Sequence, residues 1–552
     1  MFRISKLAKK AGCIDTMEKL NFNECKIRGE LSYRIIKNYA RLEAKEYRAE
    51  QIFNMDQNGW PGDWEGRTIL ALVLLGQATG REPAFLSDIL TQLKQSLNEK
   101  GYLGEALSGG FINEQQLSGH NWLLRGLLEF YQWKKDPQTK RMIRNIFENL
   151  YLPLLEQNAY QRYPLEPSSH SFDGAADGHL QESVVDGWKL STDIGCAFMS
   201  IDGLSQYYQI FKDQRALLLL QNMIDRFCCI DFCRTSMQTH ASLTATRGII
   251  RLYETTRMPK LLEFAISLFE LYQQHGMTEN YANYNWFDRP TWTEPCGIVD
   301  AYLLAMELFR FTNNTAYLTI ANKTFFSALL HAQRENGGFG CDNCLTETKR
   351  ELTAYSAEYY EAYWCCTMRG GEGLTQAVRY SVLHKDDRFV FTGLVSADYS
   401  FAQAAFQVDS RFPQKGEINI LVTRCQTPIQ LCFFLPPEMT DNITVQKDGM
   451  TIPPYYQNEF CCIHADTPCK LILTFDIPLR SLPSEKNDSA ITLWRGYTMY
   501  GLRQHDFPVS VDDSIYRSRQ ELLCSPTKLI FTREEIQRMT EGNTDEGKIS
   551  VY

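Results

Sequence analysis

Cys365 and Cys366 stand side by side in the stretch YEAYWCCTMRGGEG, Tyr360 to Gly373. Adjacent cysteines fill a core poorly, because their side chains usually diverge, but they can grip one soft metal ion from two sides. Adjacency is weak evidence by itself, since Cys228-Cys229 and Cys461-Cys462 are also neighbours. Two candidate sets could complete a site. Cys341 and Cys344, in GGFGCDNCLTE, form a C-x-x-C that with Cys365 and Cys366 would make a four-cysteine structural zinc site. Glu294 and Cys296, in TWTEPCGIVD, offer a carboxylate and a thiolate two residues apart, just before a helix. Zinc accepts both donor types in tetrahedral geometry. Spacing alone does not favour the Glu294–Cys296 set, although the C-C half also matches a C-x-x-C site incompletely.

The elements that must position these residues change character along the chain. In the first two-thirds a helical hairpin recurs: ALVLLGQATGREPAFL from Ala71, LLEFYQWKKDPQTKRM from Leu127, LSQYYQIFKDQRALLLL from Leu204, IIRLYETTRMPKLLEFA from Ile249 and MELFRFTNNTAYLTIA from Met306. Apolar residues return every three or four positions, and short polar turns carry Gly80, Asp136, Asp213 or Asn314. Hairpins that each leave one apolar face uncovered must stack. The long loop from Tyr160 to Gly187 favours a closed toroid with a site at one end over an open solenoid. After about Asp386 the period shortens. Glu417 to Cys425, Ile429 to Pro437, Cys469 to Leu479 and Ala490 to Leu502 read as strands of a β-sandwich. The expected organisation is a helical domain over 1–385, a β-sandwich over 386–515 and a C-terminal extension over 516–552 with a short helix and a polar tail.

Composition narrows the function. The 44% hydrophobic and 22% charged residues are ordinary for a globular chain, and 552 residues allow a large core. A net charge of −9 with no basic run disfavours nucleic acid and membrane surfaces. No apolar run is long enough to span a bilayer. The N-terminal MFRISKLAKKAGC has basic residues with no apolar segment after them, unlike a secretory signal. The 17 cysteines are therefore expected as reduced thiols in a cytoplasm.

Over most of its length the chain resembles the β-L-arabinofuranosidase family of glycoside hydrolases, family 127, and the related family 146. The resemblance lies in KIRGELSYRIIKNYARLEAKEYR, SGHNWLLRGLLEFYQW, HASLTATRGIIRLYE, TEPCGIVDAYLLAMELFRFTNNTAYLTIANKTFFSALL and WCC, with AITLWRGYTMYGLR similar to a late family strand. It implies a mainly α chain with a β domain, an (α/α)6 toroid followed by β-sandwich modules. It also implies one zinc ion on Glu294, Cys296, Cys365 and Cys366, with Cys365 as the nucleophile of a retaining hydrolase. The family's acid/base glutamate precedes the first metal ligand by about sixteen residues. Glu279 precedes Glu294 by fifteen (294 minus 279) and is the expected equivalent. His120 and His240 are expected to contact sugar. Where the family has a further histidine this chain has Asp193, in LSTDIGCAFM, and Asp63 and Glu65 in WPGDWEGR are expected cleft carboxylates. FFLPPEM, Phe433 to Met439, replaces the family's arginine-proline-tryptophan segment.

The expected substrate is a small carbohydrate, an L-arabinofuranoside or a related plant glycan fragment, and the reading admits a homodimer. Two alternatives stand beside it. One is a catalytically silent carbohydrate-binding or scaffold protein with a structural zinc site. The other is a different (α/α)-toroid glycosidase, such as an unsaturated-uronide hydrolase with two acidic residues and no zinc.

Overall fold

The computed structural model describes residues 16–54, 59–106, 110–175, 178–487, 489–503, 508–541 and 550–551. Twelve of the described helices build a double ring. In chain order they are α1 Gly29–Leu42, α2 Asp63–Thr79, α3 Leu86–Ser96, α4 Glu114–Lys134, α5 Pro137–Ile146 and α6 Ser200–Phe211, then α7 Gln214–Phe227, α8 Thr239–Thr256, α9 Pro259–His275, α10 Pro295–Thr312, α11 Thr315–Thr324 and α12 Cys366–Tyr380.

The even-numbered helices α2, α4, α6, α8, α10 and α12 each pack on the next, and α12 returns to α2, so the inner ring closes. The outer helices lie against inner ones: α1 on α12, α3 on α2, α5 on α4, α7 on α6, α9 on α8 and α11 on α10. This is the expected (α/α)6 toroid. Sequence separates the two rings. DWEGRTILALVLLGQAT of α2 is buried on nearly every face, as an inner helix must be. In α7 only Ala216, Leu219, Leu220, Met223, Ile224 and Phe227 are buried, a stripe of three- and four-residue steps.

The turns work as their residues predict. Gly80 ends α2 in the left-handed region, φ +67°. Asp136, Asp213 and Asn314 cap α5, α7 and α11 by accepting from the backbone N–H of Thr139, Arg215 and Ala316. Inner helices approach closely where glycine faces backbone. A Cβ on Gly66 of α2 would lie 2.1 Å from the Leu123 nitrogen of α4.

The β region is a sandwich of a six-stranded and a seven-stranded sheet, with a third sheet beside it. Phe389 and Phe391 of the first sheet meet Phe406 of the second at 5.3 and 5.7 Å between ring centres. Two differences from the sequence reading stand out. Ala490 to Leu502 is a hairpin, Ile491–Arg495 and Thr498–Leu502, because Gly496 turns the chain at φ +59°. The sandwich also draws on the start of the chain: Glu18–Lys19 pairs with Val382–Lys385, and Cys25–Ile27 with Ala397–Ser400. In the C-terminal extension Thr527–Lys528 and Ile530–Phe531 pair into the third sheet, the expected short helix is Arg533–Glu541, and of the expected polar tail Ser550–Val551 pairs with Arg480 and Ser481 while 542–549 fall outside the described residues. No described helix is long and apolar enough to cross a membrane.

Candidate metal centre and cavity

Two neighbouring inner helices bring the ligand candidates together at their N-termini. Glu294 is the residue before α10, Pro295 opens that helix without needing a hydrogen bond, and Cys296 follows in its first turn. The Asn283 side-chain Oδ1 fixes Glu294 by accepting its backbone N–H at 2.9 Å. Cys365 is the residue before α12 and Cys366 its first residue. Both helices thus point their positive ends at the same spot, which favours anionic side chains there.

The Cys296 and Cys365 sulfurs lie 3.2 Å apart, Cys296 and Cys366 3.7 Å, and Cys365 lies 3.8 Å from Glu294 Oε1. One donor atom from each of the four residues falls within 4.8 Å of the other three. Cys341 lies beside Cys366 but outside this group, and the Cys344 thiol is turned to the Asn283 carbonyl at 3.7 Å. The C-x-x-C is therefore not assembled as a ligand set.

The donors fit a metal ion. Glu294 Oε2 is buried with no hydrogen-bond partner. Burial, with the nearby Cys365 charge, pushes Glu294 well above the ordinary carboxylate range, and burial does the same to the Cys296 and Cys366 thiols. Four acids in one dry place need a cation to ionise together. Cys365 alone is drawn well below the usual thiol range, first by the hydrogen bond from Cys296, then by that from Cys366, with Arg67 adding its charge.

Arg67, one turn into α2, ties the centre to its surroundings. It donates to Asp63 Oδ2 at 2.8 Å, and its two terminal nitrogens lie 3.5 Å from the Cys296 sulfur and from His240 Nε2. Its guanidinium lies 4.2 Å above the Trp122 ring, on which His240 also stacks. His240 Nδ1 donates to Asp300 Oδ2 at 2.8 Å, so the ring is held with Nε2 toward Arg67. Asp300 is fully buried, and Arg369 and Arg247 hold it well below the usual carboxylate range.

A cavity of about 390 Å³ opens over this centre. Cys365, Cys366, Glu294, His240, Asp63, Glu65 and Asp193 line it together with Trp60, Trp64, Trp292, Tyr359 and Trp364. Acidic side chains among aromatic rings suit a sugar, whose hydroxyls need acceptors and whose C–H faces stack on aromatic rings.

Two expected site residues are placed elsewhere. His120 is fully buried with both ring nitrogens on backbone: Nδ1 donates to the Gln116 carbonyl at 2.8 Å, and Nε2 accepts the Leu103 N–H at 3.0 Å. It does not line the cavity, and it pins the loop that Leu103 belongs to. Glu279 does not line the cavity either. Its carboxylate accepts from the Ser484 hydroxyl at 2.7 Å and from the backbone N–H groups of Glu485 and Lys486 at 3.1 and 3.3 Å. It is turned to the β region, which these three hydrogen bonds tie to the helical ring. Arg67, Asp300 and Arg369 escaped the sequence reading, since a buried arginine or aspartate within a helix leaves no motif.

The fold and the site define a class, the double helical ring with an appended β-sandwich and a Glu-Cys-Cys-Cys centre. No protein-family profile and no curated protein matches the chain. Among solved structures, a GH127 β-arabinofuranosidase superposes with a TM-score of 0.66 at 11% identity, covering 88% of this chain and 86% of its own. A second, described as a glycoside hydrolase, gives 0.64 at 12%, covering 90% and 85%. A GH127 β-L-arabinofuranosidase from Geobacillus stearothermophilus T6 gives 0.62 at 11%, covering 87% and 86%. The chain has their fold.

Proposed function

We propose that the chain is a distant relative of the family 127 enzymes and a zinc-dependent retaining glycoside hydrolase of L-arabinofuranosides or related pentosides, with Cys365 as nucleophile. The observation that carries this reading is the placement of Cys365, the one thiol of the cluster drawn toward its charged form, on the wall of a sugar-sized cavity. Glu294, Cys296, Cys365 and Cys366 would hold the zinc ion, which when bound keeps the sulfurs deprotonated at neutral pH.

Asp63 takes the place intended for Glu279 as proton donor. It lines the cavity, Arg67 holds its Oδ2, and its Oδ1 has no partner. Burial pushes it up to about 6, against the pull of Arg67 and with a contribution from Cys365. The reaction then has two steps. The Cys365 sulfur bonds to the anomeric carbon as the C–O bond to the leaving group breaks, and the Asp63 proton passes to the departing oxygen. Water next attacks the same carbon, its proton returns to Asp63, and the C–S bond breaks, which restores the thiolate with retention. Asp193 and His240 are assigned to the sugar hydroxyls. All described cysteines are free, which accords with a reducing cytoplasm.

The test is intact-protein mass spectrometry after incubation with pentofuranosides bearing a thiol-reactive group, β-L-arabinofuranosyl among them. A sugar adduct mapped to Cys365 and abolished by Cys365→Ser supports the reading. A zinc-loaded protein that forms no adduct with any of them opposes it. The orientation of Glu279 favours a second reading, a silent zinc protein that has lost its acid/base, and turnover without Asp63 dependence would leave that orientation unexplained.

A further inference from the structure

A second group of metal-ligand side chains lies outside the cavity. Cys233 sits in the loop after α7, His275 is the last residue of α9, and Asp288 is in the turn between Trp286 and Arg289. One donor atom from each lies within 4.8 Å of the other two. His275 Nδ1 and Asp288 Oδ1 are 2.7 Å apart, and the Cys233 thiol also hydrogen-bonds Asp288. The backbone reinforces the meeting, since the Asp288 N–H donates to the His275 carbonyl at 2.8 Å.

We propose that Cys233, His275 and Asp288 form a second zinc site, separate from the Cys365 cluster, with three protein ligands and an open position for water. Sulfur, imidazole nitrogen and carboxylate oxygen are the three donor types zinc takes, and tetrahedral ligands at about 2.0–2.3 Å from the ion stand roughly 3.5 Å from one another. Two of the three donors are poor ligands for calcium or magnesium. His275 and Asp288 are partly solvent-exposed, which leaves room for a fourth, exchangeable ligand. Two cations adjoin the ligands in sequence: Arg234 is exposed, and Arg289 is drawn off, its guanidinium 4.6 Å above Phe172 and its Nε donating to Ser236 Oγ at 3.2 Å. On binding, the Cys233 S–H proton leaves to solvent and the sulfur–zinc bond forms.

The site would act as a staple. It joins the loop after α7 to the end of α9 and the turn at Asp288, and the first and last of these are already stitched together where the Phe287 N–H donates to the Met237 carbonyl at 3.1 Å. The next residue, Gln238, bridges to Trp286, and Gln238 and Trp292 both line the cavity. A metal at Cys233 would thus brace one wall of the cavity from outside.

The test counts zinc. Wild-type protein and Cys233→Ala are exchanged into micromolar zinc under reducing conditions, desalted and measured by elemental mass spectrometry. Two ions per wild-type chain and one per Cys233→Ala chain are expected. Equal counts overturn the proposal. His275→Gln and Asp288→Asn, at partly exposed positions, must show the same loss, which keeps the test open if Cys233→Ala does not fold. Cobalt loading of a Cys296→Ala, Cys366→Ala protein isolates the second site. A thiolate-to-cobalt charge-transfer absorption that vanishes with Cys233→Ala supports the site, and its absence overturns it.

Discussion

Asp63 is held by Arg67 on one oxygen and leaves the other unpartnered in the cavity wall. Its folded pKa of about 6 lies above the ordinary 3.8, so it keeps its proton up to that pH and can donate it. Turnover under saturating substrate is therefore expected to fall as pH rises through about 6. Asp63→Asn should remove that limb and lower kcat by about 10²–10⁴-fold, read from a pH profile of kcat. His120 makes a stability prediction of the opposite kind. Burial pushes it down to about 4 from 6.5, so the unfolded chain binds more protons between those values. Stability present above pH 6.5 is lost as pH falls toward 4, by on the order of 3 kcal/mol. Chemical denaturation across that window should show the loss, and His120→Asn should flatten it. At this scale the sequence was informative where chemistry is concentrated in neighbours, as with Cys365 and Cys366. It did not foresee that Glu279 and His120 lie off the cavity lining, because residue type and spacing do not say which way a side chain turns.

Among the elements, the pairing of α2 with α4 is the tightest constraint on the inner ring. Gly66 faces the backbone of Leu123, and a Cβ on Gly126 would lie 2.7 Å from the Gly66 carbonyl oxygen. Gly66→Ala must push the helices apart or distort them, at a cost of about 1–3 kcal/mol for overpacking. Because Asp63 and Arg67 flank Gly66 on the same helix, the substitution should also move the cavity wall. A drop in melting temperature together with a raised KM would register both effects. The helical hairpins were legible because their caps and apolar stripes are local signals. The pairing of Cys25–Ile27 with Ala397–Ser400 was not, since a three-residue strand acquires its meaning only from a partner more than 350 residues away.

For the molecule as a whole, Glu279 is a fastening between the helical ring and the β region. It receives three hydrogen bonds from Ser484, Glu485 and Lys486. Glu279→Gln should therefore lower the melting temperature, with Ser484→Ala acting in the same direction, and leave labelling of Cys365 at the wild-type rate. A hundredfold loss of kcat with unchanged melting would return Glu279 to the role that its distance from Glu294 suggested.

The inner ring closes only where α12 meets α2, and α1 lies against the same α12. On a ribosome, the helices up to Thr324 emerge with one face of the ring still open to water, and Cys365 and Cys366 follow after Glu294 and Cys296 are already outside. The seam that completes the barrel and the sulfurs that complete the candidate metal centre come from a single late segment, Cys365 to Tyr380. Capture of the proposed ion would thus be coupled to the last act of helical assembly, and a chain stalled before that point displays an apolar trough that invites chaperones or aggregation.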